Sequence, residues 1–157
     1  MLALSQFFPG TLADAPFGSL ILPRDKYERC GIVASHKDEP FFVILGDEHR
    51  FKGFLSKDNT SHKGLIIPAV SFEVDETSLV PMDPWDTPLG CIVCTESVVG
   101  IRAEMIGARS QGIVVAMLGA IPSSSIEAAF TRWQISLGAG QDKRVLMKID
   151  AAARPQP

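Results

Sequence analysis

The stretch Phe41-Phe42-Val43-Ile44-Leu45-Gly46-Asp47-Glu48-His49-Arg50-Phe51-Lys52-Gly53-Phe54-Leu55 sets the architecture. Its first five residues are an unbroken apolar run, Gly46 and three polar residues make a turn, and alternation follows. In the second segment Phe51, Gly53 and Leu55 share one side, and Arg50, Lys52 and Phe54 share the other. A short apolar run, a polar corner and a period of two are the pattern of an antiparallel hairpin.

The same rhythm extends in both directions. Upstream, Gly18–Leu22 and Cys30–Ser35 flank the charged turn Arg24-Asp25-Lys26-Tyr27-Glu28-Arg29. Downstream come Gly64–Ile67 and Ala69–Asp75, split by Pro68, then Leu89–Thr95, Val98–Met105, Gly112–Gly119 and Lys143–Asp150. The expected fold is therefore mainly β: an antiparallel barrel or sandwich of about ten short strands.

One helix is expected beside the strands. Ser124 with Glu127 forms a capping-box pattern after Pro122, and Ile126, Phe130, Trp133 and Leu137 would line one face before Gly138. The competing pattern is the alternation of Thr131–Leu137, with Trp133, Ile135 and Leu137 on one side. The capping signal favours a helix over residues 125–137.

Residues 1–17 read as a lead-in interrupted by Pro9, Gly10 and Pro16, with Phe7, Phe8 and Phe17 packing part of it onto the body. The single β-rich domain runs over residues 18–150, and residues 151–157 form a disordered tail. Residues 81–88 hold three prolines and read as a connector, since proline cannot donate to a ladder. On either side lie two similar halves, 18–80 and 89–150. Pro16-Phe17-Gly18-Ser19-Leu20-Ile21 aligns with Pro88-Leu89-Gly90-Cys91-Ile92-Val93, and Gly31-Ile32 with Gly100-Ile101. Val43–Gly46 aligns with Ala116–Gly119, and Val70–Asp75 with Val145–Asp150. A duplication of this kind implies a pseudo-twofold axis, with the groove between the halves as the natural place for a ligand.

Composition narrows the partners. A net charge of −3 in 157 residues offers no basic stripe for a phosphate backbone, so no nucleic acid is expected. No apolar run approaches the roughly 18 residues of a membrane span, and none is expected. The apolar start Met1–Phe8 has no basic residue before Arg24, unlike a secretory signal. Three cysteines make no disulfide framework, and the expected location is cytoplasmic. Phe41–Leu45 and Gly112–Leu118 are apolar on both faces, which suggests burial between layers or against another subunit. A homo-oligomer is expected on that ground.

Few constellations carry chemistry. Cys91-Ile92-Val93-Cys94 has CxxC spacing, but on a strand residues three apart point to opposite faces, so the sulfurs diverge. Gly107–Gly112 lacks the spacing of a nucleophile elbow, and Gly138–Gln141 precedes a strand rather than a phosphate-binding helix. The histidines lie in acidic turns. His36 and His62 fall at the same end of a meander and, with Asp38, Glu39 and Asp58, form the candidate polar site. His36 and His49 are separated by a strand, roughly 15–20 Å. Trp85, beside Pro84, and Arg132 are the candidate rim of a binding groove. No metal is assigned, and no cofactor is named.

Two functions follow. The first is a non-catalytic oligomeric β-module acting through protein–protein or small-ligand binding. The alternative is an enzyme or metal-dependent protein with a site assembled around His36, Asp38, Asp58 and His62.

Overall fold

In the computed structural model, alternating apolar residues become strands that bury one row of side chains between two sheets. The structure describes residues 6–26, 29–81, 87–94, 99–107, 113–118 and 128–153. The strands, in chain order, are β1 (Phe8–Thr11), β2 (Leu20–Leu22), β3 (Gly31–His36), β4 (Glu39–Ile44), β5 (Lys52–Leu55), β6 (Lys63–Ile67) and β7 (Val70–Val74). They continue with β8 (Leu79–Val80), β9 (Ile92–Cys94), β10 (Val99–Met105), β11 (Ile113–Leu118), β12 (Ala128–Phe130), β13 (Arg132–Leu137) and β14 (Arg144–Asp150).

Eleven strands form a mixed sheet in the order β1-β6-β2-β3-β4-β5-β10-β9-β12-β8, with β11 beside β10 and touching β3. The β11–β3 pairing is limited to one register pair, Ala116↔Ser35, so the sheet bends back on itself without forming a closed barrel. The arrangement is sandwich-like, not a closed barrel. Strands β14, β13 and β7 make the second, antiparallel sheet.

The main core fills the space between the sheets. Leu20, Ile32, Phe41, Val43, Ile92 and Ile101 of the large sheet meet Trp133, Ile135 and Leu137 of the small one. A second cluster (Leu12, Ile21, Val33, Phe42, Ile44 and Ile66) covers the other face of the large sheet. Both faces of β4 are thus buried by their own chain. The two-faced apolar run at 41–45 is accounted for without a second subunit.

The expected helix at 125–137 is corrected. Residues 128–130 and 132–137 are strands, and β13 pairs with β14 on one side and β7 on the other. The period-two pattern prevails because Trp133, Ile135 and Leu137 all bury on the inward face while Arg132 is exposed and Gln134 half-buried on the other; Ser136, beside a register shift, is buried as well. Among the described residues, the helical segments are three-residue 3-10 turns. The capping pattern at Ser124 and Glu127 lies outside the described residues, as do residues 82–86 of the connector. Residues 8–11, placed in the lead-in by sequence, pair with β6 as an edge strand.

One local arrangement occurs twice. Gly18 and Gly90 both adopt φ above +80°. Ser19 N–H donates to Pro16 O, and Cys91 N–H donates to Pro88 O. Gly18 N–H reaches Val33 O while Gly90 N–H reaches Arg102 O, at 2.7 Å each. The strands that follow pair alike: Leu20↔Ile32 and Ile21↔Gly31 in one place, Ile92↔Ile101 and Val93↔Gly100 in the other.

Candidate functional site

The turn after β4 is built to present side chains. Asp47 takes a left-handed φ of 63°, and its carboxylate accepts from His49 N–H at 2.6 Å and from Arg29 Nη1 at 3.3 Å. Phe51 follows at φ 67° and is buried. A bulky residue there is strained by about 1–3 kcal/mol, a cost the surrounding structure must hold in place. Three bonds and a ring contact do so. Phe51 N–H donates to Ile44 O, Phe51 O accepts from Glu104 N–H, and Lys52 N–H donates to His49 O. The Arg50 guanidinium lies 4.9 Å above the Phe51 ring centre.

The strained turn feeds β5, which runs parallel to β10 through Lys52↔Glu104 and Gly53↔Met105. This is the parallel seam of an otherwise antiparallel sheet among the described residues. Phe42, Ile44, Lys52 and Phe54 share the outer face by register, opposite the main core. A cleft of about 480 Å³ opens over the seam on that face. Arg29, Ile44, His49, Lys52, Phe54 and His62 line it from one side, with Glu104 and residues 105–107 from the other.

The His62 ring lies 4.8 Å from the Phe42 ring centre and 6.3 Å from that of Phe54. Its Nε2 is 3.3 Å from Arg29 O, and its own carbonyl accepts from Leu12 N–H. The histidine is therefore fixed as part of the wall. His49 Nε2 sits 3.4 Å from Glu48. Lys52 and Glu104 are register partners, yet among the described residues neither makes an ion pair.

The polar site read from sequence is distributed differently. His36 packs edge-on against Phe41, while His62 packs against Phe42, and consecutive residues on a strand face opposite ways. His36 and His62 therefore lie on opposite faces of the sheet. Lys37 and Asp38, at φ 51° and 65°, form the two-residue turn between β3 and β4. His36 and Glu39 are the closing pair of that hairpin. Partial burial, with Lys37 second, holds the His36 imidazole below its ordinary pKa. Glu39 pairs with Lys57 at 2.8 Å, and Asp58 ends the adjoining 3-10 turn. No group of three metal-ligating side chains gathers among the described residues. His49, set aside by strand spacing, shares the cleft with His62 instead.

Trp85 lies outside the described residues. Arg132 borders a second groove, about 620 Å³, with Asp75, Gln134, Lys148 and Asp150. Its guanidinium is already engaged by Asp75 at 2.8–2.9 Å and by Thr77 Oγ1 at 2.8 Å. The neighbouring Glu73 accepts from Lys143, from Gln134 at 2.7 Å and from Ser136 at 3.2 Å. These contacts, Lys143 first for Glu73 and Thr77 first for Asp75, hold both carboxyls below their ordinary range. Arg132 and the carboxylates along the second groove are thus engaged by their neighbours, while Lys148 there makes no ion pair among the described residues.

The cysteines are packing groups. Cys91 is buried with Val93 and Ala129, whereas Cys94 packs toward the main core. Burial pushes the Cys30 and Cys91 thiols up to about 11.

Fold and cleft together define a mainly β, sandwich-like protein with a polar cleft at a parallel strand seam. The chain belongs to the family described as Uncharacterised protein y4lG, whose model matches residues 9–157. It is 42% identical over 147 residues to the Uncharacterized protein y4lG of Sinorhizobium fredii (strain NBRC 101917 / NGR234), covering 93% of this chain and 91% of that relative. No solved structure matches it. No helix among the described residues is long and apolar enough to cross a membrane.

Proposed function

We propose that this protein is a non-catalytic β-module that binds a small ligand in the cleft over the β5–β10 seam. The observation that carries the reading is the pair Lys52 and Glu104. Two charged side chains, adjacent by register and without ion-pair partners among the described residues, line one cleft. The volume, about 480 Å³, falls in the range of small-molecule sites. The strained Phe51 beside Lys52 adds support, since such backbone strain concentrates at ligand clamps.

The reading includes an internal duplication. Its support is the repeated Pro-x-Gly turn, the matched pairing of β2–β3 with β9–β10, and the matched pairing of β2–β6 with β9–β12. On that reading β7 and β13 would correspond, and the centring of their antiparallel register on Phe72↔Ile135 is what a pseudo-twofold axis at that pair would require. It differs from the sequence alignment, which sets Val70–Asp75 against Val145–Asp150. The cleft draws on both halves, as a groove between repeats would.

The test is fragment screening by backbone amide NMR on the whole protein. The expected result is shift changes clustered at residues 44–62 and 104–107. Binders that cluster elsewhere, or none at all, would overturn the reading.

A further inference from the structure

Resting on that reading, we infer that the cleft selects a small organic anion, a carboxylate or phosphate attached to an apolar or aromatic body. Arg29, Lys52, His49 and His62 contribute four basic groups to the lining, and Glu104 is its one carboxylate among the described residues. Lys52 supplies an ammonium with three donors and no ion-pair partner among the described residues. Arg29 uses Nη1 for Asp47, at 3.2–3.3 Å, which leaves the remaining nitrogens of its planar fork to face an anion. Asp47 also fixes the guanidinium in place, so little side-chain entropy is lost on binding.

The apolar part of the ligand has its own surface. Ile44, Phe54, Met105 and Ile106 line the same cleft. The Phe54 ring packs against Phe42, centroid to centroid 5.4 Å, and edge-to-face with His62 at 6.3 Å. A flat ligand laid on Phe54 would place its anionic end toward Lys52, the next outward-facing residue along β5. Glu104, opposite Lys52, opposes a second negative charge close to the first and accepts from a ligand hydroxyl or amine.

The experiment is isothermal titration of the full chain with benzoate, phenyl phosphate, inorganic phosphate and benzylamine, with NMR locating each binder. Benzoate or phenyl phosphate is expected to bind in the cleft, with inorganic phosphate at least tenfold weaker and benzylamine absent. Lys52→Ala should weaken the aromatic anion about tenfold or more, Lys52→Arg should restore most of it, and Glu104→Gln should tighten it. Benzylamine bound in the cleft and lost in Glu104→Gln, with the anions inert, would overturn the ligand class and leave the binding module standing. Inorganic phosphate binding as tightly as phenyl phosphate would overturn the organic ligand. If no probe of either charge perturbs the cleft, this inference and the reading beneath it both fall.

Discussion

Gly90→Ala is the substitution on which the fold and the cleft both depend. Gly90 holds φ +88°, and a Cβ there would run into the Phe51 ring. The ring cannot swing aside, because Phe51 is 3% exposed and its own backbone is fixed at φ 67°. Two costs add. The left-handed backbone costs an alanine about 1–2 kcal/mol, and forcing a side chain into a filled core costs about 1–3 kcal/mol. The sum, about 2–5 kcal/mol, corresponds to a fall in Tm of about 5–15 °C for a chain of this size. Gly46→Ala is the control: it has no positive φ, and nothing lies within 4 Å of its added carbon. Thermal unfolding followed by far-UV circular dichroism should show Gly46→Ala within about 2 °C of the parent. Because Lys52 follows Phe51 directly, Gly90→Ala should also weaken any ligand held by Lys52. A Gly90→Ala protein melting within about 1 °C of the parent would refute the packing argument.

Other expectations follow from the same contacts. Trp133→Phe keeps an aromatic ring, smaller than the indole, and removes the N–H that donates to Gly90 O at 2.8 Å in the buried core. It should cost about 1–3 kcal/mol, read as a lower urea midpoint; an unchanged midpoint would sink that assignment. Glu73 and Asp75 have folded pKa values below their ordinary 4.5 and 3.8, so their contribution is present above those values and lost as pH falls through the depressed ones. Urea midpoints should therefore drop between pH 5 and pH 2, and less steeply in Arg132→Ala and Lys143→Ala. A slope identical in parent and variants would contradict the contacts. With the Cys30 and Cys91 thiols raised to about 11, the native chain at pH 8 should react with a thiol-disulfide reagent about 100-fold more slowly than the unfolded chain at those positions. Rapid labelling of all three cysteines in the folded protein would argue against their burial.

The strands legible in the sequence were those whose apolar side chains announce them locally. Glu39–Ile44 and Arg144–Asp150 lie within two residues of their expected bounds, because a run or an alternation suffices to mark a half-buried strand. Strands β1, β8 and β12 carry two to four residues each and are defined by their partners. Phe8-Pro9-Gly10-Thr11 has no strand pattern of its own and pairs only because Lys63–Ile67 offers an edge. At 128–137 two periodicities compete in one segment, and tertiary pairing decides between them. Trp133 and Leu137 satisfy both a helical stripe and a strand face, while the intervening Ile135 is buried only in the strand.

The cleft was harder to read because the meander does not continue where sequence order suggests. Beyond β5 the sheet passes to β10, and β6 crosses back to lie between β1 and β2. That crossing carries His62 over the outer face of β4 and β5, away from His36 and toward His49. Glu104 reaches the same place from 52 residues further along the chain, by the parallel pairing with Lys52. Neither residue has a local motif, since their neighbourhood exists only once β5 and β10 pair. The local signal that the two regions share is a glycine two residues after Pro16 and again after Pro88, each followed by a strand pair of like register. Lys52 and Glu104 meet at the one place where the large sheet turns from antiparallel to parallel pairing among the described residues, and no local pattern around either residue encodes that meeting.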